Sequence, residues 1–304
     1  MRVVVTGGAG FIGAHSCRAL LEAGHSVTAL DDLSHGKREA LPSGVDLVVM
    51  DVRSPQLAAE LDRLRPDAVL HLAAQMDVRH SVSDPMHDAS VNVLGTVNAL
   101  SASRRAGAQR FVLASSGGAV YGEQETFPAP EEHPRRPASP YGVSKLCGEE
   151  YLELARRDGL STLSLRYANV YGPGQDPMGE AGVVAIFLHK MLRGGDPVIN
   201  GDGEQTRDFV YVEDVARANL LALGSQAASA LNVGTGVETS VNELALLLAR
   251  AVDHRKPMAH GPAAAGEQRR SSIDPRAARA RLGWEPRVPL DEGLRRTAEW
   301  FRRA

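Results

Sequence analysis

Val3-Val4-Val5-Thr6-Gly7-Gly8-Ala9-Gly10-Phe11-Ile12-Gly13-Ala14 decides the fold. A β-branched run ends in glycines, and an apolar helical pattern begins inside them. This reads as strand, tight turn and helix in immediate succession. The spacing Gly8-x-Gly10-x-x-Gly13 is a weak signal alone, but its context matches. It follows a strand, opens a helix, and Asp31 stands about 20 residues on, at the end of the second strand-like run. Glycines let the backbone turn tightly and approach a pyrophosphate, and the helix N-terminus offers free N–H groups and a positive dipole end. A carboxylate at Asp31 accepts hydrogen bonds from ribose hydroxyls and repels a 2′-phosphate, so the expected cofactor is NAD in preference to NADP. Asp32 either helps to hold the ribose or solvates its loop.

Outward from this turn the first half alternates short β-branched runs with helical patterns. Strands are predicted at Val3–Thr6, Val27–Leu30, Leu47–Met50, Ala68–Leu72, Arg110–Ala114 and Ser161–Tyr167, and helices at Phe11–Ala23, Ser54–Leu64, Val91–Ala106 and Tyr141–Asp158. Such alternation predicts an α/β fold, a Rossmann-like doubly wound parallel sheet buried on both faces. After Tyr171 the pattern loosens. A Gly/Pro-rich connection, Gly172–Gly182, leads to a helix at Val184–Arg193, a loop at Asn200–Thr206 and short strands at Phe209–Val212 and Leu231–Val233. Helices follow at Val241–Val252, Pro275–Leu282 and Leu290–Arg303. The expected division is a dinucleotide domain over 1–168, with 207–235 partly returning to it, and a smaller C-terminal α/β substrate lobe over 169–304.

The composition narrows the class. The 304 residues carry a formal net charge of −3, with 43% hydrophobic and 23% charged residues, ordinary for a soluble domain and without a basic surplus for nucleic acid. No run reaches the roughly 18 apolar residues of a membrane span, and Met1-Arg2-Val3 enters the first strand without a signal-peptide pattern. Cys17 and Cys147 lie in helical segments and read as reduced thiols. A cytoplasmic protein without membrane or nucleic-acid partners is expected. The ten histidines show no metal-ligand spacing such as H-E-x-x-H, so no metal is expected. Trp284 and Trp300 read as packing residues.

Tyr141-Gly142-Val143-Ser144-Lys145 places a phenol and an ammonium on one helix face. A nearby cation lowers a tyrosine pKa, as would an oxidised nicotinamide, and Tyr141 then becomes a plausible general base. Taken alone, the pattern fits a packing tyrosine and a solvated lysine as well; downstream of a dinucleotide turn it reads as catalytic.

With these stand Thr6–Gly13, His71-Leu72-Ala73-Ala74, Asn92-Val93-Leu94-Gly95-Thr96, Ser115-Ser116 before Val120-Tyr121-Gly122, Arg166–Pro173, Arg207–Asp214 and Leu282–Pro286. Together they resemble the extended short-chain dehydrogenase/reductase family over essentially the whole chain. Within it the chain is most similar to the UDP-glucose 4-epimerase branch, a placement that Gly179–Phe187 supports. The resemblance implies cofactor contacts at Gly7, Gly10, Phe11, Ile12 and Gly13 around the pyrophosphate, Asp31 and Asp32 at the ribose, and Asp51 and Val52 at the adenine. Leu72, Ala73, Ala74 and Gln75 would line the path to the nicotinamide, with Asn92 and Ser115 supporting it. Tyr141 and Lys145 would be catalytic, and Lys145 would also hold the nicotinamide ribose. On the substrate side it implies a UDP-sugar held by Ser116, Tyr141, Asn169, Arg207 and Glu267. A homodimer formed by the helices at Val91–Ala106 and Tyr141–Asp158 is implied as well.

Two positions depart from the family pattern. Gly117 stands where many relatives carry Ser or Thr, which leaves Ser116 either as the catalytic hydroxyl or as a local hydrogen-bonding group. The Arg of the usual Arg-x-Gly-acid motif is absent in Ala264-Ala265-Gly266-Glu267, and Arg269 or Arg270 could replace it. Tyr121 either borders the substrate or packs. Before Val120 stand Gly118-Ala119, where dehydratases of the family carry Asp-Glu and decarboxylases Glu, so elimination is disfavoured. The expected reaction is inversion of the C4 hydroxyl of a UDP-hexose through a 4-keto sugar, with NAD recycled. UDP-glucuronate 4-epimerisation is the alternative substrate, and an NAD-sensing or scaffold protein the non-enzymatic reading.

Overall fold

The computed structural model describes residues 1–178, 182–263 and 268–303. Six strands follow one another through the first half: β1 (Arg2–Thr6), β2 (Ser26–Asp31), β3 (Asp46–Val49), β4 (Ala68–His71), β5 (Arg110–Ser116) and β6 (Ser161–Tyr167). Short strands β7 (Asn169–Tyr171), β8 (Val198–Asn200), β9 (Thr206–Arg207) and β10 (Phe209–Tyr211) come next, then β11 (Ser229–Val233), β12 (Thr239–Ser240) and β13 (Ala259–Gly261). The main sheet has seven strands in the order β11-β6-β5-β4-β1-β2-β3. Every neighbouring pair in it is parallel. The order reverses at β1, which lies between β2 and β4, and the crevice above such a switch point is where doubly wound sheets bind ligands.

Alternation along the strands builds two cores. Val3, Val5, Val27, Ala29, Ala68 and Leu70 face one side, where Cys17 and Leu20 of α1 (Phe11–Glu22) pack. Val4, Leu30, Val69, Phe111 and Leu113 face the other, against α2 (Leu57–Leu64). Short helices α3 (Val78–Ser83) and α4 (Pro85–Ala89) and a π turn at Ser90–Leu94 lead into α5 (Gly95–Arg105), which also covers that second face. After β5 a single turn, α6 (Gly117–Val120), precedes the long α7 (Pro140–Arg157). Ser139 caps α7 by accepting from Gly142 N at 3.2 Å, with Pro140 in the first turn, the pairing that starts helices best.

The second half differs from expectation in one large element. A helix, α9 (Val212–Leu223), fills the span between β10 and β11 and packs Val215, Ala218 and Ala222 into the α1 side of the sheet. The smaller lobe has its own core of Val184, Phe187 and Leu188 from α8 (Val183–Leu192), Leu244 and Leu248 from α10 (Val241–Val252), and Leu294 from α12 (Leu290–Arg303). The remaining helix, α11 (Arg276–Leu282), adds Ala278 to the main core. Trp284 is fully buried, its indole N–H donating to Asp214 O at 2.8 Å. Trp300, expected to pack, is 39% exposed at the lobe edge. No helix of the described residues is long and apolar enough to cross a membrane.

His71 ends β4 beneath the crevice. Thr96 Oγ1 donates to Asn92 O at 2.6 Å, so it accepts from His71 Nε2 at 3.1 Å. That leaves Nδ1 as the acceptor for Thr6 Oγ1 at 2.7 Å. One donor and one acceptor describe a neutral imidazole. Burial, with the Lys145 charge adding to it, pushes its pKa down to about 3 from 6.5. The unfolded chain therefore takes a proton that the folded chain refuses. The His71 contribution is complete above pH 6.5 and is lost as pH falls toward 3, at up to about 1.4 kcal/mol per pH unit. Urea unfolding of wild type and His71→Asn checks this: the stability gap between them should narrow from pH 6.5 to pH 4, and a gap independent of pH would refute it.

Candidate active site

The turn after β1 is shaped for a close ligand. Gly7 has φ +67°, a left-handed conformation suited to glycine. A side chain at Gly13 would run into Gly7 O and the backbone of Gly8. Gly10 caps α1 without a side chain, so the first N–H groups of the helix have no intrahelical acceptor and point to the crevice. Asp31 fixes the rim: its carboxylate accepts from Ala9 N at 3.0 Å and from Leu33 N at 2.9 Å. Burial raises its pKa, and these backbone donors work against that rise.

A crevice of about 320 Å³ runs from this turn to α7. Its walls hold Gly7, Gly10, Phe11, Ile12 and Gly13, then Asp31, Asp32, Asp51 and Val52, and at the far end Leu72, Ala73, Ala74, Gln75, Ser115, Tyr141 and Lys145. Asn92 does not line it. It stands behind, bonding Gln75 N and Gln75 O at 2.9 and 2.8 Å. Asp32 lines the crevice and accepts from Ser34 N and Ser34 Oγ within its own loop. Asp51 is held by Arg53, which keeps its carboxyl below the usual range. A glycine cradle, an open helix N-terminus, a ribose-height carboxylate and an apolar path fit a dinucleotide.

At the floor, Lys145 Nζ lies 5.7 Å from the centre of the Tyr141 ring and donates to Ala114 O at 3.0 Å. Tyr141 is half-buried and lines the crevice, and the nearby Ser116 side chain acts on it in the direction that favours the phenolate. The expected lowering of the tyrosine is not what the protein alone produces. Burial pushes the phenol up to about 12, against the influence of the Ser116 side chain, while burial pushes Lys145 down to about 8. Desolvation is the largest influence on both groups.

The structure gives Gly117 a reason. A Cβ there would stand 2.7 Å from Ile273 Cδ1, so Ile273 fills the space of a Ser or Thr side chain. A Cβ at Gly118 would meet only Asn169 Oδ1 and Ser116 Oγ, at 3.8 and 3.9 Å, which leaves a small open space between these two polar groups. Asn169 is exposed at the start of β7, and Arg207 is half-buried on β9, its Nη1 donating to Thr206 O. Glu267 and the Ala264–Gly266 departure lie outside the described residues, as do residues 179–181 of the Gly179–Phe187 stretch. Arg269 is paired with Asp202, and Arg270 is paired with Glu238 and stacked 3.7 Å from the centre of Phe127. Tyr121 is fully buried, its hydroxyl donating to Asn232 Oδ1 at 2.7 Å, and so packs.

Sequence reasoning missed Asp88 and the pair Glu149–Arg166, all buried beneath this floor. Arg166 was in view as part of a motif, but nothing local showed its partner.

A switch-point crevice with a Tyr–Lys pair at its floor defines a nicotinamide-dependent enzyme of the Rossmann type. The chain belongs to the NAD dependent epimerase/dehydratase family, which residues 3–234 match. It is 46% identical to a UDP-glucose 4-epimerase of Mycolicibacterium smegmatis, covering 99% of each chain. Among solved structures it resembles a UDP-glucose 4-epimerase of Thermotoga maritima with UDP-glucose, with TM-score 0.96 and 46% identity over 100% of this chain and 99% of that one. A Thermus thermophilus UDP-glucose 4-epimerase in complex with NAD gives TM-score 0.94 and 44% identity, covering 100% of both chains.

Proposed function

We propose that the protein inverts the C4 hydroxyl of UDP-glucose and UDP-galactose through a transient 4-keto sugar, with NAD retained. The observation that carries this is the Tyr141–Lys145 pair at the far end of the dinucleotide crevice, with Lys145 Nζ 5.7 Å from the ring centre, beside a segment, Gly118-Ala119, that has no acid for elimination.

In this reading 1–168, with 207–235, holds NAD, and 169–304 holds the sugar nucleotide. Gly7, Gly10 and Gly13 admit the pyrophosphate to the N–H groups of Phe11 and Ile12, Asp31 and Asp32 take the adenosine ribose, and Asp51 and Val52 border the adenine. Asn169 and Arg207 face the diphosphate, and Glu267 the uridine ribose. When bound, NAD supplies a hydride acceptor, a hydride donor after reduction, and a positive charge in its oxidised form. Lys145 adds its own charge and holds the nicotinamide ribose. Both cations favour the Tyr141 phenolate, offsetting the burial that raises it. Ser116 relays the O4 proton to Tyr141 as the C4 hydrogen leaves as hydride and the C4=O bond forms. After the keto sugar turns over, hydride returns to the opposite face of C4 and Tyr141 returns the proton to O4. Atoms and electrons balance within one cycle.

Incubation of the purified protein with UDP-glucose, without added NAD, should yield UDP-galactose. UDP-glucuronate in a parallel reaction tests the alternative substrate. Unchanged sugar from every common nucleotide sugar would refute the reading and favour a non-catalytic NAD-binding role.

A homodimer belongs to the same proposal. Val143, Tyr151 and Leu154 form an exposed apolar stripe on α7, with Leu94 exposed before α5, and a second copy presenting the same helices would bury it. Light scattering should give twice the 32.4 kDa chain mass, and Leu154→Glu should give a monomer; a wild-type monomer at micromolar concentration would refute the assembly. The two free cysteines, Cys17 buried and Cys147 half-buried, fit a reducing, cytoplasmic setting.

A further inference from the structure

We propose that Asp88 is a positioning residue for the Tyr141–Lys145 pair, serving both as the charge that balances Lys145 and as the acceptor that ties the catalytic helix to the nicotinamide wall.

Asp88 is fully buried on α4. Its Oδ2 accepts from Ser144 Oγ at 2.6 Å, and its Oδ1 accepts from Asn92 Nδ2 at 2.9 Å and Gln75 Nε2 at 3.0 Å. Ser144 lies on α7 between Tyr141 and Lys145. Gln75 lines the crevice, and Asn92 holds both backbone groups of Gln75. One carboxylate thus joins the catalytic helix, the π turn and the crevice wall. All three donors are neutral, yet a carboxylate out of water needs a compensating charge. Lys145 supplies it. Its ammonium donates to a carbonyl of β5 and is buried, and Asp88 acts on it in the direction that favours the charged form, against the burial that lowers it.

The other groups facing Lys145 do not do this. His71 on β4 is neutral, Tyr141 on the same helix is a neutral phenol, and Glu149 one turn on is spent on Arg166 of β6. Arg104 of α5 is paired with Asp158 at the far end of α7. Asp88 also disfavours a Tyr141 phenolate, so its effect on turnover is the difference of two influences, whereas its effect on Lys145 is one.

The test reads Lys145 directly. The other lysines are Lys37, Lys190 and Lys256, few enough for each side-chain carbon to be followed by NMR, with Lys145→Arg as the assignment. In the protein purified with its dinucleotide, Asp88→Asn should move the Lys145 titration measurably down, the direction that loss of a nearby opposite charge requires. The amide can keep the geometry, with its oxygen accepting from Asn92 and Gln75 and its nitrogen donating to Ser144. Ser144→Ala removes one hydrogen bond, keeps the charge and should leave the Lys145 titration in place. An unmoved Lys145 in Asp88→Asn, or equal shifts in both variants, would overturn the proposal. So would a wild-type Asp88 carboxyl carbon that reports a neutral acid at pH 7, which needs no variant to fold. The activity arm rests on the C4-inversion reading: the alkaline limb of the kcat profile should fall with Lys145 while KM stays put. The titration needs no sugar, so failure of that reading leaves it decisive.

Discussion

Tyr141→Phe is expected to lower kcat for C4 inversion by about 10³-fold while leaving dinucleotide and UDP-sugar binding within a few-fold of wild type. The substitution removes one oxygen. The ring stays beside Lys145, whose Nζ lies 5.7 Å from its centre, and the Ser139 cap and Pro140 that start α7 are untouched. What is lost is the group that takes and returns the O4 proton, and positioned acid–base groups contribute about 10² to 10⁴ in rate. Ser116 keeps its hydroxyl but has no phenolate to pass the proton to, so it cannot substitute. The loss should appear in kcat and kcat/KM together, the pattern of an interaction made only in the transition state. Following the anomeric protons of UDP-glucose and UDP-galactose by NMR measures it. A variant that retains more than a tenth of wild-type kcat would mean that Tyr141 is not the base.

Much of this site was legible because its parts are local. The glycine turn, Asp31 and Tyr141-x-x-x-Lys145 each act within one turn or one strand–helix unit, and their spacing survives in the sequence. The β6 strand was bounded to the residue, and α1 to within one. The helix Val212–Leu223 was not seen. Its core face is mostly small residues, and Asn219 sits fully buried in that face, accepting from Tyr167 and donating to Ser16. A polar residue at a core position interrupts the apolar periodicity that announces a helix. The closure of Gly117 by Ile273, and the placing of Asp88 beneath α7, join segments far apart in the chain, and no local pattern records them. The sign of the Tyr141 shift was missed for a related reason: the i, i+4 spacing shows the neighbouring cation, but only the packed structure shows how dry the floor is.

That dry floor makes the second large effect one of stability. Glu149→Ala should destabilise the fold by about 3–5 kcal/mol, the cost of removing one partner from a buried ion pair. Glu149 Oε1 accepts from Ser115 Oγ at 2.5 Å and Arg166 Nε at 2.9 Å, and Oε2 from Arg166 Nη2 at 2.7 Å. The two side chains are 5% and 4% exposed, so water cannot replace the lost carboxylate. Arg166 cannot withdraw either. Its Nη1 is committed to the Tyr121 hydroxyl at 2.9 Å and Glu131 O at 3.0 Å; burial lowers its pKa and Glu149 more than offsets that, and without Glu149 the intrinsic basicity of arginine still keeps it charged. The more exposed Arg135, 3.7 Å from Glu149, loses little. Melting at a fixed saturating NAD concentration, which holds the mass-action contribution of the ligand equal in both proteins, should show a fall on the order of 10 °C. The double variant Glu149→Leu with Arg166→Met separates the cause. Removing both charges should recover part of the loss, because the penalty belongs to the stranded guanidinium and not to the missing pair. A double variant less stable than Glu149→Ala would instead make the network through Tyr121 and Asn232 the larger contributor.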